Sequence, residues 1–432
     1  MSFHNGLSLL ILYPPAEYQA EYGCANVSTT ISAPANSHPL LAIVQLILAV
    51  VSEFLYALCM CSIWKHLQLS CYKILFFIGV VDMLGLVVGA ILCSAMALAG
   101  ATFCDFPLTQ YITGGLAMAF WFAETTSEFI LAFSRCLELL LPQIAAIIFK
   151  ENRTWFLMVL SSIYALFSWL FTRPVIFSTS KFAFFFSPYE DYSSTTASSK
   201  YSNIVHTFNN TLVSCFLCAT YGIFCVLWVG RMLKTIAMAK PKPTAVPTTV
   251  AAAKGQNGKN DQNNGNKNSG GSSNIAARMT FLQVVIISFF NGCAAGLGVY
   301  MEHFEIYPEM FVASQFTYVL THAAPPFIYL AYNRTIRADV CALLYRILTG
   351  KNNTPVTVTA QCHEGLNTGL IAPTHTQSVG IGRASGAVPA VSIGADYLSI
   401  LNNGVPLFRR QIAGSDAVSG QWQKANTLSS TV

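Results

Sequence analysis

Among the ionisable and amide side chains inside the long apolar runs of this chain, Glu53, Asp82, Glu124, Asn291 and His322 fall near one depth, and the third run carries Glu128 as well as Glu124. Such groups are costly in hydrocarbon unless they pair or perform a task, so each marks a candidate functional site. Counted inward from the basic end of each run at helical rise, Glu53, Glu124 and His322 lie roughly 15 Å deep and Asp82 roughly 12 Å. Asn291 falls slightly deeper. Three carboxylates that close cannot all be ionised, so a shared layer would hold at least one proton, with His322 or a bound cation offsetting the rest. Alternatively, each group faces its own neighbours and is hydrogen-bonded separately. No His-Glu-x-x-His run occurs, and no metal or cofactor is expected.

A second group lies toward the other ends of the same runs: Tyr111, Phe120, Trp121, His206, Asn209, Asn210, Tyr300, Glu302, Gln315 and Tyr318. Aromatics with a few convergent polar groups are the composition of a small-ligand pocket between helices. Interfacial aromatic belts have the same composition. At the basic end of the third run stands Arg135, between Ser134 and Cys136, with Glu138 on the same helical face. Its side chain can simply snorkel to the interface, or it can latch one packing of the bundle and release another. In the seventh run, Pro325 and Pro326 remove backbone donors, which predicts a kink that leaves the carbonyls of Thr321 and His322 open. Tyr329 follows three residues after Pro326.

These side chains need membrane helices to hold them. Apolar residues make up 53% of the 432 and charged residues 10%, with a mean hydropathy of +0.50. That balance excludes a soluble domain. Seven runs reach the length that crosses a bilayer, at 39–64, 74–98, 111–139, 155–177, 206–233, 279–304 and 310–332. Backbone groups in lipid must be satisfied within each span, so the spans are helices and the bundle covers 39–333. Residues 1–38, 99–110 and 305–308 contain no Lys or Arg, whereas Lys65, Lys73, Arg135, Lys150, Arg153, Arg231, Lys234, Arg278, Arg334 and Arg337 share the opposite side. Only Arg173, Lys181 and Lys200 break the pattern, which places the N-terminus outside and the C-terminus in the cytoplasm.

The remaining segments follow from composition. Residues 1–38 form an outer N-terminal segment in which Asn26 heads a usable glycosylation sequon. Its apolar run at 7–12 lacks a basic flank and ends at Pro14-Pro15, so no cleaved signal peptide is expected. Residues 240–277 and 350–432 are too poor in periodic apolar content to fold and are expected to be disordered. Residues 334–349 suit an amphipathic helix on the inner leaflet, where Cys341 either carries a palmitoyl chain or packs as a small apolar side chain. Most of the thirteen cysteines lie within apolar runs; Cys24 and Cys104 fall in outer positions. The net charge of +5 is spread over loops, and no nucleic-acid motif is present.

Several stretches together resemble a known family. They are the run from Cys71 to Met83 containing Asp82, Ala101-Thr-Phe-Cys104-Asp-Phe-Pro, Ser134-Arg135-Cys136-Leu-Glu138, Arg153-Thr-Trp155, Val205-His206-Thr-Phe-Asn209-Asn210, and the run from Ser314 to Arg337. The chain resembles the nematode serpentine chemoreceptors of class T, seven-helix G-protein-coupled receptors. The resemblance implies an all-α, rhodopsin-like bundle in the plasma membrane of chemosensory neuron cilia. It also implies a small odorant or pheromone-like ligand bound between the outer halves of the helices, and a heterotrimeric G protein as cytoplasmic partner. By the same resemblance, Arg135 takes the place of the arginine in the Asp/Glu-Arg-Tyr motif of rhodopsin-like receptors, Asp82 that of their helix-2 aspartate, and Pro326 with Tyr329 that of their Pro-x-x-Tyr. Ser134 departs from that pattern, leaving Glu138 as the substitute acid, and Pro325 stands where those receptors have Asn. The second outer loop offers no cysteine for Cys104, so Cys24 is the substitute that would staple the N-terminus over the pocket mouth.

Other function classes fit less well. A channel or transporter could use the intramembrane carboxylates and the Gly-rich run at 292–298, yet the hydrophobic segments show no internal repeat. Insect-type odorant channels have a cytoplasmic N-terminus. A retinal photoreceptor needs a lysine at 310–332, where none occurs. An intramembrane enzyme needs paired aspartates or a Ser/His set; Asp82 is the one aspartate within a span, so no enzyme is expected.

Overall fold

The computed structural model describes residues 5–25, 38–192, 198–238, 269–304 and 307–350. Asn26 and the residues beyond 350 lie outside that set. Among the described residues, seven helices form the bundle: Pro39–Lys65, Ser70–Ala99, Pro107–Leu140, Arg153–Phe171, Ile204–Met238, Ser269–His303, and a seventh divided into Pro308–Ala323 and Pro325–Tyr332; the first four and the sixth are each long and apolar enough to cross a membrane. The first, third and seventh open with proline, whose fixed φ suits the first helical turn and whose missing N–H would be unpaired there anyway. Along the first helix, Leu40, Ile47 and Phe54 are exposed while Gln45, Ala49, Ser52, Tyr56 and Cys59 are buried. That is one lipid face and one bundle face at helical spacing.

The structure corrects two boundaries. The fourth helix ends at Phe171 and not at 177, because Pro174 can donate no backbone hydrogen bond and drives Arg173 toward extended backbone. The chain then forms strand β1 (Ile176–Ser178), antiparallel to β2 (Ala183–Phe185), with Ile176 opposite Phe185. The sixth helix starts at Ser269, inside the 240–277 stretch expected to be disordered. A helix nucleated in the membrane can extend outward at one backbone hydrogen bond per added residue, which offsets a weak local preference.

The hairpin lies on the third helix at Gly114, where an added Cβ would stand 1.6 Å from the Val175 carbonyl oxygen. Gly114→Ala should therefore lower the unfolding temperature by the equivalent of at least about 1–3 kcal/mol. Thermal unfolding of the purified chain checks this, and an unshifted transition would mean the hairpin seats loosely.

At the outer end, short helices Leu7–Leu12 and Pro15–Tyr22 fold over the bundle. Their rings join Phe103, Tyr111 and Tyr201 in one apolar cluster. At the inner end, Asn333 caps helix Arg334–Thr349 by accepting from Ile336 N at 3.1 Å. Asp339 fastens that helix to the first through Ser62 Oγ at 2.7 Å and His66 Nε2 at 3.0 Å. Cys341 is half-buried on that helix.

Candidate ligand pocket and polar core

In the middle of the bundle, four of the five expected polar residues meet. His322 Nδ1 stands 2.9 Å from Asp82 Oδ1 and 3.2 Å from Glu124 Oε2. Asn291 Nδ2 donates to Glu124 Oε1 at 3.1 Å. All four side chains are inaccessible to solvent. The Nδ1 position faces two carboxyl oxygens, so a hydrogen on the ring or on either carboxyl can bridge the contact. Asp82, Glu124 and His322 each offer a ligand atom within 4.8 Å of one another, close enough to share one cation or to pass one proton.

Glu53 does not join them. It is half-buried one position off the inner face of the first helix, and Tyr56 takes its place by donating to Asp82 Oδ2. Depth along a helix puts Glu53 at this level, but azimuth leaves it without a hydrogen bond to the core, within electrostatic reach of Asp82 only. Glu128, the second glutamate of the third apolar run but not one of the residues expected at this level, is buried one turn from Glu124 and accepts from Ser288 Oγ at 3.2 Å. The four-residue spacing of the two glutamates, which puts both on one face, was the available signal.

Toward the outer side, a cavity of about 120 Å³ opens between the third, fifth, sixth and seventh helices beneath the hairpin. Trp121, His206, Asn210, Gln315 and Tyr318 line it. Trp121 Nε1 donates to Asn210 Oδ1 at 2.9 Å, and Asn210 Nδ2 lies 3.1 Å from His206 Nε2. Gln315 Nε2 donates to Gln45 Oε1 at 3.2 Å and to the Gly89 carbonyl at 3.0 Å. Gly89 sits in a π-helical turn, Val87–Leu92, which frees carbonyls for such side-chain donors.

The other five expected pocket residues lie elsewhere. Tyr111 is in the outer cap, donating to the Gly6 carbonyl at 2.8 Å. Phe120, one residue from Trp121 and so turned about 100° away, packs with Val81 and Ala165 between the second and fourth helices. Asn209 sits behind the cavity, bonded to Tyr164 and Thr125. Tyr300 stacks on Phe304 at the exposed surface. Glu302 braces the rim, 3.6 Å from His206 Nδ1. Phe184 and Phe186 of the outer loop line the cavity and were not anticipated, because nothing local marks a loop that folds inward.

Tyr318 belongs to both sites. Its ring lines the cavity beside Trp121, at 6.1 Å between centroids, and stands edge-on to His322 at 4.9 Å. Two glycines of the second helix clear room for this pair. A Cβ on Gly89 would come within 2.4 Å of Tyr318, and one on Gly85 within 2.9 Å of His322.

At the inner end, Arg135 Nη1 donates to Glu138 Oε2 at 2.6 Å. Ser134 Oγ bonds back to Leu131 O and does not engage the arginine. Pro326 and Tyr329 are buried, Tyr329 lying 6.5 Å from Tyr56.

This bundle is similar to squid rhodopsin, with a TM-score of 0.52 at 11% identity over 80% of this chain and 98% of that one. The likeness shows a rhodopsin-like seven-helix fold. The family model for the serpentine type 7TM GPCR chemoreceptor Srt matches residues 10–246 and 261–353. The chain belongs to the Srt family. It is also 22% identical over 276 residues to serpentine receptor class T-55 of Caenorhabditis elegans, spanning 64% of this chain and 66% of that one. It is thus a multi-pass membrane protein and a receptor of the G-protein-coupled type.

The outer cap of this Srt receptor is clamped by covalent and polar links. Cys24 and Cys104 are disulfide-bonded with their Cα atoms 5.8 Å apart. Arg173, an exception to the charge pattern, holds Asn5 Oδ1 at 3.0 Å and lies 3.8 Å from Glu21 Oε2. Tyr201 and Tyr189 donate to the carbonyls of Glu21 and Gly23, each at 2.9 Å. Burial pushes the Tyr189 phenol up to about 12, so it remains a donor across the neutral range. Cys24→Ser should lower the amount of receptor at the cell surface, since a loop of this length contributes roughly 4 kcal/mol by chain entropy. Surface labelling checks this; unchanged labelling would mean the polar clamp suffices.

Proposed function

We propose that this chain is a chemosensory receptor of the plasma membrane that binds a small extracellular ligand in the outer cavity and activates a heterotrimeric G protein. Tyr318 carries this reading, because one ring forms both the cavity wall and a face of the His322 core. A guest that moves the ring must disturb the Asp82–His322–Glu124 contacts, so it binds two packings of the bundle with different affinity and shifts their populations. The core then relays to Tyr56 and Tyr329, beside the kinked inner end of the seventh helix, and Arg135 uncovers the G-protein surface. Family membership supports the same reading, with the receptor acting in sensory neurons. The channel reading draws on the same buried carboxylates, but the described residues pair them into a sealed knot beneath the cavity. The deciding experiment screens cells expressing the receptor against volatile and water-soluble organic compounds, with and without a co-expressed G protein. A response that requires the G protein is expected. A ligand-gated conductance in its absence would sink this reading and favour the channel.

A further inference from the structure

Among the described residues, those lining the cavity include no Asp, Glu, Lys or Arg. His206 is the one imidazole there, and Glu302 at 3.6 Å offsets any charge it gains. A charged guest would leave water and find no counter-charge, a penalty of several kcal/mol. The walls instead offer the rings of Trp121, Phe184 and Tyr318 to an apolar body. The volume of about 120 Å³ is comparable to the roughly 150 Å³ cavities that accept a benzene-sized guest.

Two polar atoms of this lining have no hydrogen bond: His206 Nδ1, which faces Glu302 Oε1 at 3.6 Å, and Gln315 Oε1, which faces no charged group. Gln315 is buried and both bonds of its Nε2 go to Gln45 and Gly89, which leaves Oε1 with no donor. The neighbouring groups are already paired, Asn210 with Trp121 and His206, and Tyr318 Oη with the Ala117 carbonyl at 3.4 Å. A buried acceptor left unmet costs about 1–3 kcal/mol, which a guest hydroxyl would recover and a guest carbonyl would not.

We infer that the cavity selects a compact, uncharged alcohol, its hydrocarbon body against the aromatic walls and its hydroxyl donating to Gln315 Oε1. This rests on the cavity being the ligand site of the receptor.

The test uses the full chain in lipid nanodiscs without G protein and four probes of one skeleton: cyclohexanol, cyclohexanone, cyclohexylamine and cyclohexanecarboxylate, at neutral pH. Saturable binding is read from the shift in unfolding temperature, with empty nanodiscs correcting for partition into lipid. Cyclohexanol is expected to bind, cyclohexanone about tenfold more weakly, and the two ionised probes not at all. Ala294→Phe, which fills the cavity, should abolish binding of both neutral probes. Gln315→Met should bring the alcohol down to the level of the ketone; if that variant does not fold, the alcohol-to-ketone ratio in the unaltered chain still decides. Equal binding of alcohol and ketone, binding of either ionised probe, survival of alcohol binding in Ala294→Phe, or no binding by any probe would overturn the inference. Binding is measured without a G protein, so a bound alcohol that fails to stimulate nucleotide exchange would sink the coupling reading alone.

Discussion

Replacing His322 with leucine should cost about 3–5 kcal/mol of folding stability and remove ligand-stimulated signalling. Among the described residues, the imidazole supplies the one nitrogen that faces Asp82 and Glu124 together, at 2.9 and 3.2 Å. Leucine leaves both carboxyl groups in a solvent-free interior without it, and breaking one side of such a group is far more damaging than never having built it. Hence the triple variant Asp82→Asn, Glu124→Gln, His322→Leu should regain most of the lost stability. Tyr56 can still donate to the amide at position 82, and Asn291 to the amide at position 124. Unfolding temperatures of the single and triple variants in nanodiscs measure this. If the triple variant is as unstable as the single one, the loss comes from shape and not from uncompensated polar groups. Signalling should stay lost in both, because the ionisable core that Tyr318 presses on is gone.

Arg135→Ala should abolish ligand-stimulated nucleotide exchange on the G protein while leaving ligand affinity within a few-fold. The side chain lies at the inner end of the third helix, far below the cavity that Trp121 lines on the same helix. At helical rise, the fourteen steps from Trp121 to Arg135 span roughly 21 Å. Its resting partner is weak. Glu138 is 46% exposed, and exposed pairs contribute about 0–1 kcal/mol, so Glu138→Gln should raise ligand-free exchange by no more than about fivefold. Exchange assays on receptor and G protein reconstituted together check both variants. Retained stimulation in Arg135→Ala would reduce the arginine to an interfacial anchor.

How much of this was legible beforehand depended on what each feature needs. Crossing a bilayer needs only length and apolarity, and orientation needs only a count of basic residues, so the seven spans, the outside N-terminus and the polar level at Asp82, Glu124, Asn291 and His322 could be read from order along the chain. Where a helix stops was harder. Pro174 was visible, yet its consequence, a hairpin tucked over Gly114 that carries Phe184 into the cavity, depends on residues that meet across the fold.

Depth is linear in sequence because every helical residue adds the same rise; azimuth is not, because each helix rotates until its apolar and polar faces suit several neighbours at once. The sequence by itself therefore determined that this protein is a seven-helix membrane bundle with ionisable groups at one level. Only the tertiary structure decided that Glu53 turns aside while Tyr56 enters, that Phe120 leaves the pocket while Trp121 lines it, and that Tyr318 touches cavity and core together. Those outcomes rest on helix rotation and on close approaches at Gly85 and Gly89, where a missing Cβ records the contact without naming the residue that fills the space.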